Sequence, residues 1–243
     1  MGVNLEEVLV YRLLLAVDIQ GYSRLDARRQ LAAQHDLADV LDKAAAAAGL
    51  SRSDWTEQVG GDGELALLPA GTAPAVVAGD LVIGFESALR EVNTARDGAG
   101  PLDSERGGGR LRVRLALHHG TLTPGPFGPA GDAPVVVQRL LDSTPLRRLL
   151  DDPRRDLAVV VSDAMFDDVV RSGFCALPQS AFEAVRITAK GAVFHGHLLT
   201  RPPEPRVRPL RERPVRAAEG DPPVRLTDLT LLTGVGGRGD GLN

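Results

Sequence analysis

Asp18 ends the apolar run Leu13–Val17, and Asp62 sits in the glycine-rich stretch Gly60–Gly63. Two hard carboxylates brought to one volume hold magnesium or manganese, which take few protein ligands when a substrate supplies phosphates. Just beyond Asp18, the turn Ile19-Gln20-Gly21-Tyr22-Ser23 has no side chain at Gly21 and leads toward a predicted helix, whose first N–H groups can receive a phosphate. Alone, Asp18 reads equally well as a helix cap or a satisfied turn residue. Joined to Asp62 and the turn, it points to metal–nucleotide binding.

Such residues need a sheet to position them. Residues 9–18 read as a buried strand, because the apolar positions run on without alternation. A helix is predicted from about Asp26 to Ala48, with Leu31, Leu37, Leu41 and Ala45 near helical spacing and Gly49 at its C-cap. The segments DWTEQV and ELALLP flank GGDG as a hairpin would. A second helix is expected over about Ala75–Asn93, then a loop over residues 94–109. Arginine alternating with aliphatics over Arg110–Arg114 predicts a half-exposed strand, and Pro134 suits the first turn of a third helix. LAVVVSD reads as a buried strand, AMFDDVVRSG as a short helix and AVFHGHLLT as the last strand. The order predicts a ferredoxin-like βαββαβ sandwich of the α+β class, with an extra αβ unit, a terminal strand and its helices on one face. In that arrangement the first strand lies beside the hairpin, so Asp18 and Asp62 can share one small volume.

This constellation resembles the class III nucleotidyl cyclases, the adenylate and guanylate cyclase family. DIQGYS, GDGELALL, RLALHHG, GDAPVVVQR and TAKGAVFHGHLL match five family signatures in family order, over roughly residues 9–200. The resemblance implies that Asp18 and Asp62 bind two magnesium or manganese ions, helped by the Ile19 carbonyl. It implies that Arg139 neutralises charge on the transferring phosphate and that Lys190 grips the triphosphate. The residue types also admit a plain surface arginine at 139, on a helix with Arg147 and Arg148. The implied reaction is attack of the ribose 3′-hydroxyl on the α-phosphorus, releasing pyrophosphate, with metal and arginine stabilising the developing charge. The family further implies a homodimer that joins metal ligands of one subunit to the arginine of the other.

Three positions depart from the family pattern. Gln58 stands where family members place lysine or glutamate to read the purine. Gly128 stands at a second base-reading position, and Val135 replaces the ribose-orienting asparagine. Glycine has no side chain to bond a base, and valine cannot hold a sugar oxygen. Two readings follow: a divergent cyclase (a phosphorus–oxygen lyase) forming a 3′,5′-cyclic mononucleotide from a nucleoside triphosphate, or a cyclase-like nucleotide sensor that signals to a partner without turnover.

Composition bounds the remainder. With 43% hydrophobic and 25% charged residues in 243, the chain is an ordinary globular protein, and a net charge of −4 does not recommend nucleic acid. No stretch is long and apolar enough for a bilayer, no signal peptide is evident, and one cysteine suits a reducing cytoplasm. Neighbouring His118 and His119 point to opposite strand faces and so cannot share an ion. His195 and His197 share a face but lack a third ligand. Residues 1–200 are expected to form the domain. The Pro/Arg-rich 201–223 reads as a linker, and 224–243 as a tail offering a protein partner its contact.

Overall fold

The computed structural model describes residues 8–98 and 109–201. The chain divides into units Met1–Arg206 and Val207–Asn243, the second wholly beyond the described residues. The linker, the tail and most of the expected 94–109 loop therefore lie outside what can be described.

Seven strands form one sheet, in the order β2-β3-β1-β4-β5-β7-β6. They are β1 (Val10–Ile19), β2 (Thr56–Val59), β3 (Gly63–Leu67), β4 (Val113–Leu122), β5 (Leu157–Ser162), β6 (Phe182–Ala189) and β7 (Ala192–Leu199). Only β4 and β5 pair in parallel; the other neighbours are antiparallel. β1 is an interior strand, buried on both faces from Leu13 onward, which is why its sequence is apolar without alternation over Leu13–Val17.

Alternation along β1 sorts the core into two layers. Leu13, Leu15 and Val17 face α1 (Ala27–Ala47) and α2 (Val82–Gly98), packing with Leu37, Leu41, Phe85 and Leu89. Leu14 and Ala16 face the opposite way, toward Val137 and Leu140 of α3 (Asp132–Leu141) and Leu146 of α4 (Thr144–Leu149). The expected one-sided sandwich is therefore corrected: the two helices of the βαββαβ core share one face, and α3 with α4 cover the other.

Three further expectations change. Residues 94–98 continue α2 rather than opening a loop. The terminal strand is one arm of a hairpin whose other arm, β6, went unread because it is a largely exposed edge strand with no apolar run. The arginines of RLRVR do not form a half-exposed face. Arg114 is buried against Asp18, Arg112 donates to the carbonyls of Asp152 and Arg155, and Arg110 pairs with Asp156. Arg112 and Arg114 turn inward to these partners, since a guanidinium with partners tolerates burial, while Arg110 stays exposed.

Several local choices explain the elements. Asp26 caps α1 by accepting from Arg29 N at 2.9 Å, and Gly49 closes it with φ 71°. Fully buried Asn93 spends its amide on the Leu111 backbone, donating to O at 2.9 Å and accepting from N at 2.7 Å. That pair anchors α2 to the entry of β4.

Candidate functional site

The hairpin docks on β1 with unusual closeness. Gly63 pairs with Asp18, and Ile19 N donates to Asp62 O at 2.8 Å. A Cβ on Gly63 would lie 1.9 Å from Val17 O, so only glycine lets β3 come this near. Between the hairpin and α3 lies a cavity of about 550 Å³. Asp18, Asp62 and Gln58 line its sheet side, and Val135, Gln138, Arg139 and Asp142 its helix side. Two expected metal ligands, the expected phosphate-binding arginine and the Gln58 and Val135 positions thus share one cavity.

Asp18 is not free within it. Both of its oxygens accept from Arg114, Oδ1 from Nε at 2.8 Å and Oδ2 from Nη2 at 2.5 Å, and each residue is 8% exposed. Burial pushes the Asp18 carboxyl up to about 6, opposed by the Arg114 charge and hydrogen bond, with Asp62 and Asp142 pushing it further up. Asp62 is exposed, and its carboxylate has no ion-pair partner among the described residues. No cluster of three His, Cys, Asp or Glu side chains able to hold a metal forms among them either. That donor set does not fit a resident two-ion centre, because one of its two carboxylates is already saturated by a guanidinium.

The other expected residues are placed as follows. Ile19, Gln20, Gly21, Tyr22 and Ser23 do not line the cavity. Their turn enters only the 3-10 segment Tyr22–Arg24, and the start of α1 is closed by Asp26. α1 starts where the spacing places it, but the turn does not run directly into its N–H groups: the 3-10 segment intervenes, and Asp26 accepts from Arg29 N in the first turn. Lys190 has φ 51° at the tip of the β6–β7 hairpin, on the edge of the sheet away from β3, and does not line the cavity. Arg139 does line it, and no carboxylate reaches ion-pair distance of it among the described residues.

Gln58 and Gly128, far apart in sequence, meet. Gln58 Nε2 donates to Phe127 O at 3.2 Å, and a Cβ at Gly128 would lie 2.6 Å from Gln58 Oε1. The glycine is what makes room for the glutamine.

Three contributors escaped the sequence motifs. Arg114 reads as strand surface until its partner is known. Asp142 lies just beyond α3 and pairs with Arg147 at 3.2 Å. Gln34 of α1 donates from Nε2 to Tyr22 Oη and to Gly61 O, each at 2.7 Å, and so ties the Gly21 turn to the Asp62 hairpin. Spacing carries no signal for Gln34, since an exposed helical glutamine is ordinary. The histidines behave as expected for opposite faces: His118 pairs with Ser162 Oγ at 2.7 Å, whereas His119 pairs with Tyr11 and Asp168.

No family model matches the sequence, and no curated protein does. Solved structures do resemble the fold. Guanylyl cyclase Cya2 superimposes with a TM-score of 0.54 at 15% identity, over 82% of this chain and 96% of that one. Adenylyl cyclase CyaB from P. aeruginosa gives 0.51 at 15%, over 80% and 96%. An adenylate/guanylate cyclase/hydrolase from Silicibacter pomeroyi gives 0.50 at 18%, over 79% and 98%. With its strand order, two-sided helical cover and hairpin-to-helix cavity, the described domain has the fold of a class III nucleotidyl cyclase catalytic domain.

Proposed function

We propose that this domain binds a nucleoside triphosphate, in its magnesium-bound form, as a signalling module and does not cyclise it at an enzymatic rate. The Asp18–Arg114 fork carries this reading, because it removes one of the two carboxylates that the cyclisation chemistry requires. With Asp18 paired to Arg114, Glu64 to Arg52 and Asp142 to Arg147, the charges left at the cavity are Arg139 and Asp62. One guanidinium for the phosphates and one carboxylate for the cation they carry is a balanced pair for such a salt. Val135 supports the same conclusion. An apolar side chain gives the sugar no hydrogen bond from that position of the helix, and lost positioning costs orders of magnitude in rate.

Equilibrium dialysis with each of the four ribonucleoside triphosphates and magnesium or manganese tests this, alongside an assay for cyclic product and pyrophosphate. Binding that weakens in Asp62→Asn and Arg139→Gln, with no cyclic product, is the expected result. Cyclic product that disappears in Asp62→Asn would replace the sensor reading with the cyclase reading. Asp62 is the informative position because it is exposed, whereas changing Asp18 disturbs the fold as well. A homodimer remains part of the proposal, as does a protein partner; sedimentation with and without nucleotide measures the first.

Gln34 gives a further expected result. Gln34→Leu removes both ties between the turn and the hairpin, yet it lies on an exposed helix face. We expect nucleotide binding to weaken up to about tenfold, the scale of one or two hydrogen bonds. The thermal midpoint should fall by no more than about 3 °C. Equal losses in the two measurements would mean that Gln34 serves the fold alone.

A further inference from the structure

We infer that Gln138 is the residue of this cavity that recognises the sugar hydroxyls, making the ligand a ribonucleotide in preference to its deoxy counterpart; this rests on the nucleotide-binding reading above. α3 turns about 100° per residue. On that wheel Ala133, Val137 and Leu140 point into the core, as their burial confirms. Val135, Gln138 and Asp142 share the opposite stripe, and all three line the cavity. Gln138 therefore projects from the middle of the helix wall, one turn from Val135 and adjacent to Arg139.

The chemistry singles it out. Hydroxyl groups both donate and accept, and a primary amide answers both needs, whereas a carboxylate only accepts and a guanidinium only donates. The cavity has two primary amides, Gln58 and Gln138. Gln58 spends its Nε2 on Phe127 O and packs over Gly128. Gln138 has no side-chain hydrogen bond among the described residues. Its neighbours along the wall, Pro134 and Val135, offer nothing polar in their side chains. In every nucleotide the sugar adjoins the phosphates, so a ligand whose phosphates meet Arg139 brings its sugar to the adjoining part of the wall, where Gln138 stands.

The test compares magnesium complexes of ribonucleoside triphosphates with their 2′-deoxy and 3′-deoxy forms, in the unaltered protein and in Gln138→Leu. The expected result is that the protein binds the ribo form at least about fivefold more tightly than one of the deoxy forms, the worth of a neutral hydrogen bond. Gln138→Leu should bind the ribo form as weakly as that deoxy form and leave deoxy binding unchanged. Gln138→Asn, which keeps the amide's donor and acceptor on a shorter arm, should fall between them. Melting curves confirm that each variant is folded. Equal affinity for ribo and deoxy forms in the unaltered protein overturns the inference, as does a preference that survives in Gln138→Leu. Failure of every nucleotide to bind overturns this inference together with the reading beneath it.

Discussion

Asp18→Ala unfolds at markedly lower denaturant than the unaltered chain, with a loss of about 3 kcal/mol. The substitution strands Arg114, a buried guanidinium whose remaining polar contact is a long one, from Nη1 to Leu141 O at 3.4 Å. Breaking a buried pair from one side costs about 3–5 kcal/mol. The low end is expected here because the burial that raises the Asp18 carboxyl to about 6 already offsets part of the pair's attraction. The double variant Asp18→Leu with Arg114→Met should recover most of the loss, since it removes both charges and refills the volume. Urea denaturation of the two single variants and the double variant reads the coupling directly. A single variant as stable as the unaltered chain would show that the pair is not formed.

The same pair sets a pH dependence. Between about pH 4 and 6, Asp18 is protonated in the folded chain and ionised in the unfolded one. Its contribution to stability therefore decreases as pH rises through that window. Asp18→Asn should lack this slope when the two proteins are compared at each pH.

Gly63→Ala is expected to be as damaging, for a steric reason. The new methyl would sit 1.9 Å from Val17 O and 2.8 Å from Asp18 Cα, both backbone atoms with no side chain to swing aside. Either β3 withdraws from β1 or the end of β1 deforms. Overpacking ordinarily costs about 1–3 kcal/mol, and this contact belongs at the top of that range or above. Nucleotide binding should be lost with it, since withdrawal carries Asp62 away from Arg139 across the cavity. Gly61→Ala is the matched control, because a Cβ there meets only the Tyr22 ring edge at 4.0 Å. Denaturation and equilibrium dialysis on the two variants separate them; an unperturbed Gly63→Ala would mean that the hairpin is not docked in this register.

Much of the scaffold is legible from periodicity. β1 over Leu13–Val17 and β5 over Leu157–Val161 are apolar because both faces are covered there, and α1 announces itself by spacing, cap and closing glycine. Those are local properties, carried by neighbours in the chain. The edge strand β6 is not legible, for the complementary reason: a strand with little buried area leaves little hydrophobic pattern. The motifs likewise nominate Asp18, Asp62 and Arg139, and one cavity collects all three.

By itself, then, the chain's order of residues determined the interior strands and the long helices, the hairpin beside β1 and the acidic pair at their junction. Only the tertiary structure decided what those acids are free to do. Arg114 looks like any arginine on a half-exposed strand until β4 is laid against β1, where register puts it opposite Asp18. The Gln58–Gly128 contact and the Gln34 brace belong to the same class. Each joins segments distant along the chain. A residue type states which charge or hydrogen bond it can offer, whereas burial and register select the partner that receives it.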